Sequence, residues 1–113
     1  AQDYRASDGA PIAAGEIDLT ARILSMGTLH HAFTATGAVA LAVATVLPGT
    51  LAHELVGGRL ASGAEVRIGH AAGVMAVGAA VARRDGEWRA EKAIIRRSAR
   101  RLMEGWVLAP EPW

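Results

Sequence analysis

Between His31 and His53 the chain carries no Asp, Glu, Lys or Arg. A charge-free run of that length belongs in an apolar setting, either a bilayer or a protein core. Its composition decides against the bilayer. The run is built largely from Ala, Thr and Gly, holds Pro48 near its end, and has only Leu41, Leu47 and Leu51 as leucines. Its tendency to insert is therefore weak beside that of a Leu-, Ile- or Phe-rich span. A helix that is apolar all round is also what a core helix covered on several sides looks like. The run predicts a buried central helix and no membrane partner.

At 113 residues the chain has the length of one domain, or of one lobe of a larger protein. Half of it is hydrophobic but only 4% is aromatic, so the core must be made of small aliphatic side chains in close contact. The net charge of +1 is far from the basic footprint of a nucleic-acid binder. With no cysteine, the chain has no disulfide, thiolate metal site or Cys nucleophile. It begins at Ala1 rather than Met. Its first residues lack the basic-then-apolar order of a signal peptide, which suggests a piece of a longer protein.

Residues 1–15 read as an irregular lead-in rich in turn formers (Ser7, Asp8, Gly9, Pro11, Gly15). Asp18 suits the N-cap of a short helix from Leu19 to Met26, stopped by Gly27, since Leu19, Ile23 and Met26 fall at helical spacing. A second helix, capped by Thr34 or Thr36, has Gly37–Ala44 as its body and ends at Pro48-Gly49. Thr50–Val56 fits a strand or a short helix equally. Glu65–His70 and Gly73–Ala82 read as strands, and Asp85-Gly86 as a hairpin turn into a third, Trp88–Ile95. Leu102–Leu108 reads as a fourth strand with Gly105 at a bulge or bend, and Pro110 and Pro112 close the chain. The fold class is α+β: two helices, then an antiparallel meander wrapped around the long one.

Four places carry candidate chemistry. At Thr34-Ala35-Thr36-Gly37-Ala38, free N–H groups and the helix dipole make an anion site, Thr36 adds a hydroxyl and Gly37 permits close approach. A plain Thr N-cap explains the same residues without a ligand. His30 and His31 sit just upstream, where an imidazole can hold a carboxylate or pass a proton. Neighbours in an extended segment point to opposite sides, so at most one faces a given site. Their spacing does not match a metal-chelating pattern. His70 ends a strand at a turn, a common place for a ligand group, or is simply structural. The run Arg96-Arg97-Ser98-Ala99-Arg100-Arg101 could clamp carboxylates or attract polyanions, but no aromatic residues interleave with it. It also reads as an exposed basic segment with one Arg turned inward.

Together these residues resemble a known family. Asp18-Leu19, Ala21-Arg22, Ser25-Met26, His30, Ala32, Thr36-Gly37-Ala38-Val39, Ala42 and Pro48-Gly49-Thr50 occur in the order found in the PrpF family. The family comprises methylaconitate isomerases, 4-oxalomesaconate tautomerases and relatives. Arg67-Ile68-Gly69-His70-Ala71-Ala72-Gly73 resembles its Ile-Gly-His-Pro-Ser-Gly turn. Ser98-Ala99-Arg100-Arg101-Leu102-Met103-Glu104-Gly105 resembles its C-terminal Thr/Ser-Ala-Arg-Arg-Leu-Met-Glu-Gly signature.

The resemblance implies the C-terminal lobe of a diaminopimelate-epimerase-like fold, in which two pseudo-symmetric lobes each wrap a sheet around a central helix. It implies a cytoplasmic, cofactor-independent isomerase that shifts a proton along an allylic or keto-enol system in a small unsaturated polycarboxylic acid. Thr36, Gly37 and Ala38 would then bind a substrate carboxylate, with His70 as a further contact. Ser25, Met26 and Gly27 would shape the pocket, and His30 would donate a hydrogen bond or assist proton transfer. The partner would be a missing N-terminal lobe or a second copy of the chain. Two departures stand out. Ala71-Ala72 replaces the Pro-Ser of the family turn and removes a hydroxyl. Thr34 occupies the region where the related epimerases carry a catalytic Cys, so epimerase chemistry is not expected of this half. A non-enzymatic, self-associating module derived from the lobe is the alternative.

Overall fold

The structure, a computed structural model, describes residues 1–110; the expected closing residue Pro112 lies outside them. The lead-in forms a two-residue antiparallel pair, β1 (Tyr4–Arg5) with β2 (Pro11–Ile12), followed by one 3-10 turn at Ala14–Glu16. The order is then β3 (Leu19–Thr20), β4 (Leu24–Ser25), β5 (Thr28–Leu29), α1 (Ala35–Val46), α2 (Leu51–Leu55), β6 (Glu65–His70), β7 (Gly73–Arg84) and β8 (Glu87–Ile95). A four-stranded sheet runs β3-β6-β7-β8, with β3 parallel to β6 and the other pairs antiparallel.

The expected helix from Leu19 to Met26 does not form. Leu19 and Thr20 pair with Ile68 and Gly69 instead. The Asp18 carboxylate caps no helix: it accepts from the Arg67 amide at 2.7 Å and from its guanidinium at 2.8 and 3.1 Å. Strand addition to β6 and a charge-assisted fork outweigh a weak local helical period. Residues 24–29 make a hairpin instead, with Met26 (φ 52°) and Gly27 (φ 80°) as its two-residue turn. That geometry is the left-handed pair such a loop requires.

α1 is the central element. Thr34 caps it, its hydroxyl accepting from the Gly37 amide at 3.2 Å. Ala38, Ala42, Thr45 and Val46 form its buried stripe, which is one helical face. The alanines let the backbone lie close to the sheet. Thr45 donates to the Ala42 carbonyl at 2.8 Å, so its hydroxyl is buried but satisfied. Across from this stripe lie Val66 and Ile68 of β6 and Val77, Ala79 and Val81 of β7, at alternate positions. Full burial of Ile68, Val66 and Val77 contributes roughly 1.5–3 kcal/mol each. Among the described residues no helix is long and apolar enough to cross a membrane.

Thr50–Val56 resolves as the short helix α2, capped by Thr50. Asp85 (φ 54°) and Gly86 (φ 84°) make the expected two-residue turn, and the strands on either side run to Arg84 and from Glu87. Leu102–Leu108 is not a strand, and Gly105 marks no bulge: residues 96–110 have no regular structure and are exposed. The free edge of β8 is not taken up by them, and a strand without a partner has no ladder to stabilise it.

Candidate active site

The first turn of α1 presents an incomplete set of donors. The Gly37 amide donates to Thr34 Oγ1 and the Ala38 amide to the Thr34 carbonyl at 2.9 Å. The amides of Ala35 and Thr36 find no acceptor among the described residues, and both residues are exposed. Such amides, with the helix dipole behind them, attract an anion. Gly37 has a different task from the one expected of it. The space its Cβ would take is filled by Ile23 Cδ1 at 2.5 Å and Thr34 Oγ1 at 2.7 Å. Its missing side chain thus admits Ile23 rather than a ligand.

Ile23 links this turn to the histidines, because its carbonyl accepts from the His30 amide at 2.9 Å. Nδ1 of His30 lies 3.1 Å from the Ala32 carbonyl. A carbonyl only accepts, so Nδ1 carries the proton and a neutral ring offers Nε2 as an acceptor. The His31 ring turns elsewhere, to Ser7 Oγ at 3.4 Å. The two rings engage different partners, in keeping with the alternation of an extended segment. Ser25, Met26 and Gly27 stand on the hairpin just beyond the Ile23–His30 pair. Ser25 is half-buried, while Met26, at the tip, is 100% exposed.

His70 is 6% exposed. Its Nδ1 accepts from the Ala72 amide at 3.2 Å, which puts the neutral ring's proton on Nε2. Among the described residues no buried side-chain nitrogen or oxygen lacks a partner, and Nε2 makes no hydrogen bond. That N–H therefore reaches solvent. Burial, then the positive charges of Arg22 and His31, hold the His70 pKa below its ordinary value of 6.5. The turn beyond is braced by Tyr4, whose hydroxyl lies 3.0 Å from the His70 carbonyl and 2.7 Å from that of Gly73. The Ser7 amide donates to Ala71 at 2.7 Å. The Tyr4 hydroxyl and the Ser7 amide thus hold the turn without the Pro-Ser of the family pattern.

A cleft of about 280 Å³ opens at the start of α1, lined by Phe33, Ala35, Met75, Ile95, Arg96, Arg97 and Ser98. Phe33, Met75 and Ile95 supply apolar walls; Ala35 brings the helix start and the arginines bring positive charge. His70 lies on the same sheet face: Met75 opposes Ile68, and His70 is two residues further along β6, roughly 7 Å. The arrangement suits an acid with an uncharged carbon skeleton. Phe33, Met75 and Ile95 were not legible as lining residues, because no local pattern joins them. The Arg run was a visible signal, but its proximity to the helix start is tertiary.

The family model described as PrpF protein matches residues 1–110. The chain is 51% identical over 110 residues to a 2-methyl-aconitate isomerase from Cupriavidus necator, covering 97% of this chain and 27% of that protein. It is 47% identical over 111 residues to a 2-methyl-aconitate isomerase from Shewanella oneidensis, covering 98% and 28%. A 3-methylitaconate isomerase from Eubacterium barkeri is 38% identical over 103 residues, covering 89% and 25%. The crystal structure of a methylitaconate-delta-isomerase superposes with a TM-score of 0.72 at 36% identity, over 94% of this chain and 26% of that one. The α+β arrangement is thus shared with part of a solved isomerase, and the chain spans about a quarter of the length of the curated relatives it matches. A match over residues 1–110, every described residue, places the chain in the PrpF family.

Proposed function

We propose that the protein carrying this chain is a cofactor-independent isomerase that moves a double bond in a small unsaturated polycarboxylic acid, and that this chain supplies half of the site. Aconitate, methylaconitate, methylitaconate and 4-oxalomesaconate are the substrate types in view. The observation that carries the reading is the cleft at the start of α1, where Ala35, whose amide lacks an acceptor among the described residues, meets apolar walls. The 51% and 47% identities to methylaconitate isomerases support it.

In the reaction a proton leaves an allylic carbon, the electron pair spreads through the double bond onto a carboxylate, and a proton is returned at the far carbon. The charge that develops on the carboxylate needs fixed donors. The amides and hydroxyl at Thr36, with neighbouring Gly37 and Ala38 shaping the turn, supply them on this side. His70 adds its Nε2–H. His30 offers Nε2 as an acceptor to assist proton transfer, while the main acid/base group comes from the rest of the protein. Ser25, Met26 and Gly27 shape the pocket from the hairpin. The chain acts as the C-terminal lobe of a two-lobe protein in which the sheet curls around α1.

The test is to assay the full-length protein and the isolated 113-residue chain against cis-aconitate, methylaconitate, methylitaconate and 4-oxalomesaconate, following the allylic shift by NMR. Turnover by the full protein alone is expected. Comparable turnover by the isolated chain would sink the half-site reading, and none by the full protein would sink the isomerase. A self-associating binding module is the second reading, favoured by the exposed apolar residues of the C-terminal segment.

A further inference from the structure

We infer that Arg97 is the carboxylate-binding residue of the cleft at the start of α1 and sets its preference for acids carrying a further carboxylate, an inference that rests on the cleft being the substrate site. Two adjacent arginines line that cleft, and the structure treats them differently. Arg96 donates to Glu65 at 2.9 Å, so its charge is already matched. Arg97 makes no ion pair or side-chain hydrogen bond among the described residues. It lines the same cleft as Ala35, whose amide also lacks an acceptor there.

Two like-signed groups facing one small space call for an anion. A guanidinium answers a carboxylate with two parallel N–H donors. The apolar walls leave no place for a second anion along Phe33, Met75 and Ile95. A further donor on this face is Nε2 of His70, a side chain only 6% exposed with no partner at that atom among the described residues. Ser98 adds a hydroxyl beside Arg97. At about 280 Å³ the space lies at the small end of ligand-site sizes, which suits a small acid. The Arg96–Glu65 pair links the residue just past β8 to the start of β6.

The experiment uses the full-length protein and the variants Arg97→Gln and Arg97→Lys. Arg89→Gln serves as a control that removes the same charge from an exposed position on β8. Calorimetry measures binding of tricarballylate, a saturated tricarboxylate that cannot isomerise, and of glutarate, its dicarboxylate counterpart. Kinetics compare cis-aconitate with methylitaconate. Arg97→Gln should weaken tricarballylate binding by about 10- to 100-fold and raise KM for cis-aconitate in step. The change in kcat, and in either constant for the dicarboxylates, should stay within about threefold. Arg97→Lys should recover part of the loss, because it restores charge without the fork. An unaltered thermal unfolding curve shows that the variants fold. Equal losses for tricarboxylate and dicarboxylate, wild-type affinity in Arg97→Gln, or equal losses in Arg89→Gln would each overturn the inference. Wild-type binding of tricarballylate that is lost in Arg97→Gln, with no isomerisation of any acid, would keep the carboxylate site and remove the isomerase reading.

Discussion

At the scale of single residues, Gly37 shows how packing constrains the candidate site. Replacing it with Ala sets a methyl group against Ile23 Cδ1 and Thr34 Oγ1. Ile23 can move its end, but Thr34 holds the helix cap. Gly37→Ala should therefore lose about the stability of one cap, ~1 kcal/mol, seen as a lower thermal midpoint of the full-length protein. Thr34→Ala should have a similar effect, and the double variant less than the sum, because both disturb one hydrogen bond. Two titrating groups give a pH signature. The Arg67 fork holds Asp18 below its ordinary 3.8, so that stability is present above about 3.8 and is lost as pH falls through the folded value. His70 has a lowered pKa, so the unfolded chain takes up that proton first. Stability should decline as pH drops below 6.5, until the folded ring is also protonated. Chemical denaturation across this range should show a shallower decline in His70→Gln; an unchanged slope would remove His70 as the cause.

At the scale of elements, the sheet carries one irregularity and a device that supports it. The β7–β8 register shifts between Ala80 and Val81. Beside it, Ser62 Oγ accepts from the Val81 amide at 2.8 Å and donates to the Val81 carbonyl at 2.7 Å. One hydroxyl thus completes both backbone groups on the side of β7 away from β8. Ser62→Ala should destabilise the protein by about 1–2 kcal/mol, and amide exchange should quicken at Val81 before it does at Val77. Ser62→Thr keeps the hydroxyl and should recover most of the loss. The β4–β5 hairpin is the opposite case. Among the described residues it pairs with no other strand, and it ends in an exposed Met26 at positive φ.

For the whole molecule, dimensions speak first. The radius of gyration is 18.0 Å, against roughly 13 Å for a compact chain of this length. The excess comes with an extended C-terminal segment, where Leu102, Met103, Trp106, Val107 and Leu108 are exposed. Contiguous apolar side chains in water drive association. The isolated chain should therefore self-associate in a concentration-dependent way by light scattering. Removing residues 102–110 should reduce that association. A clean monomer at high concentration would contradict the prediction and the binding-module reading with it.

Much of this molecule could be read from local order. The charge-free run predicts α1 because burial of a helix needs only that its own residues be apolar and small. The alternation of Glu65–His70, the stretch Gly73–Ala82 and the Asp85-Gly86 turn predict three strands, because their signals lie within a few residues. The motifs around Thr36, His70 and Ser98 pointed to the family. What failed was what needs a distant partner. Leu19-Thr20 joins β6 across nearly fifty residues of chain, which overrides a helical period of three residues. Leu102–Leu108 has strand-like composition but no strand beside it. The cleft joins Ala35, Met75 and Arg97, whose proximity exists only after the sheet has packed on α1. Sequence alone determined which segments were apolar, turned or charged, since those are local properties of side chain and backbone. The tertiary structure decided which of them meet, since that depends on pairing and packing free energies shared between segments far apart in the chain.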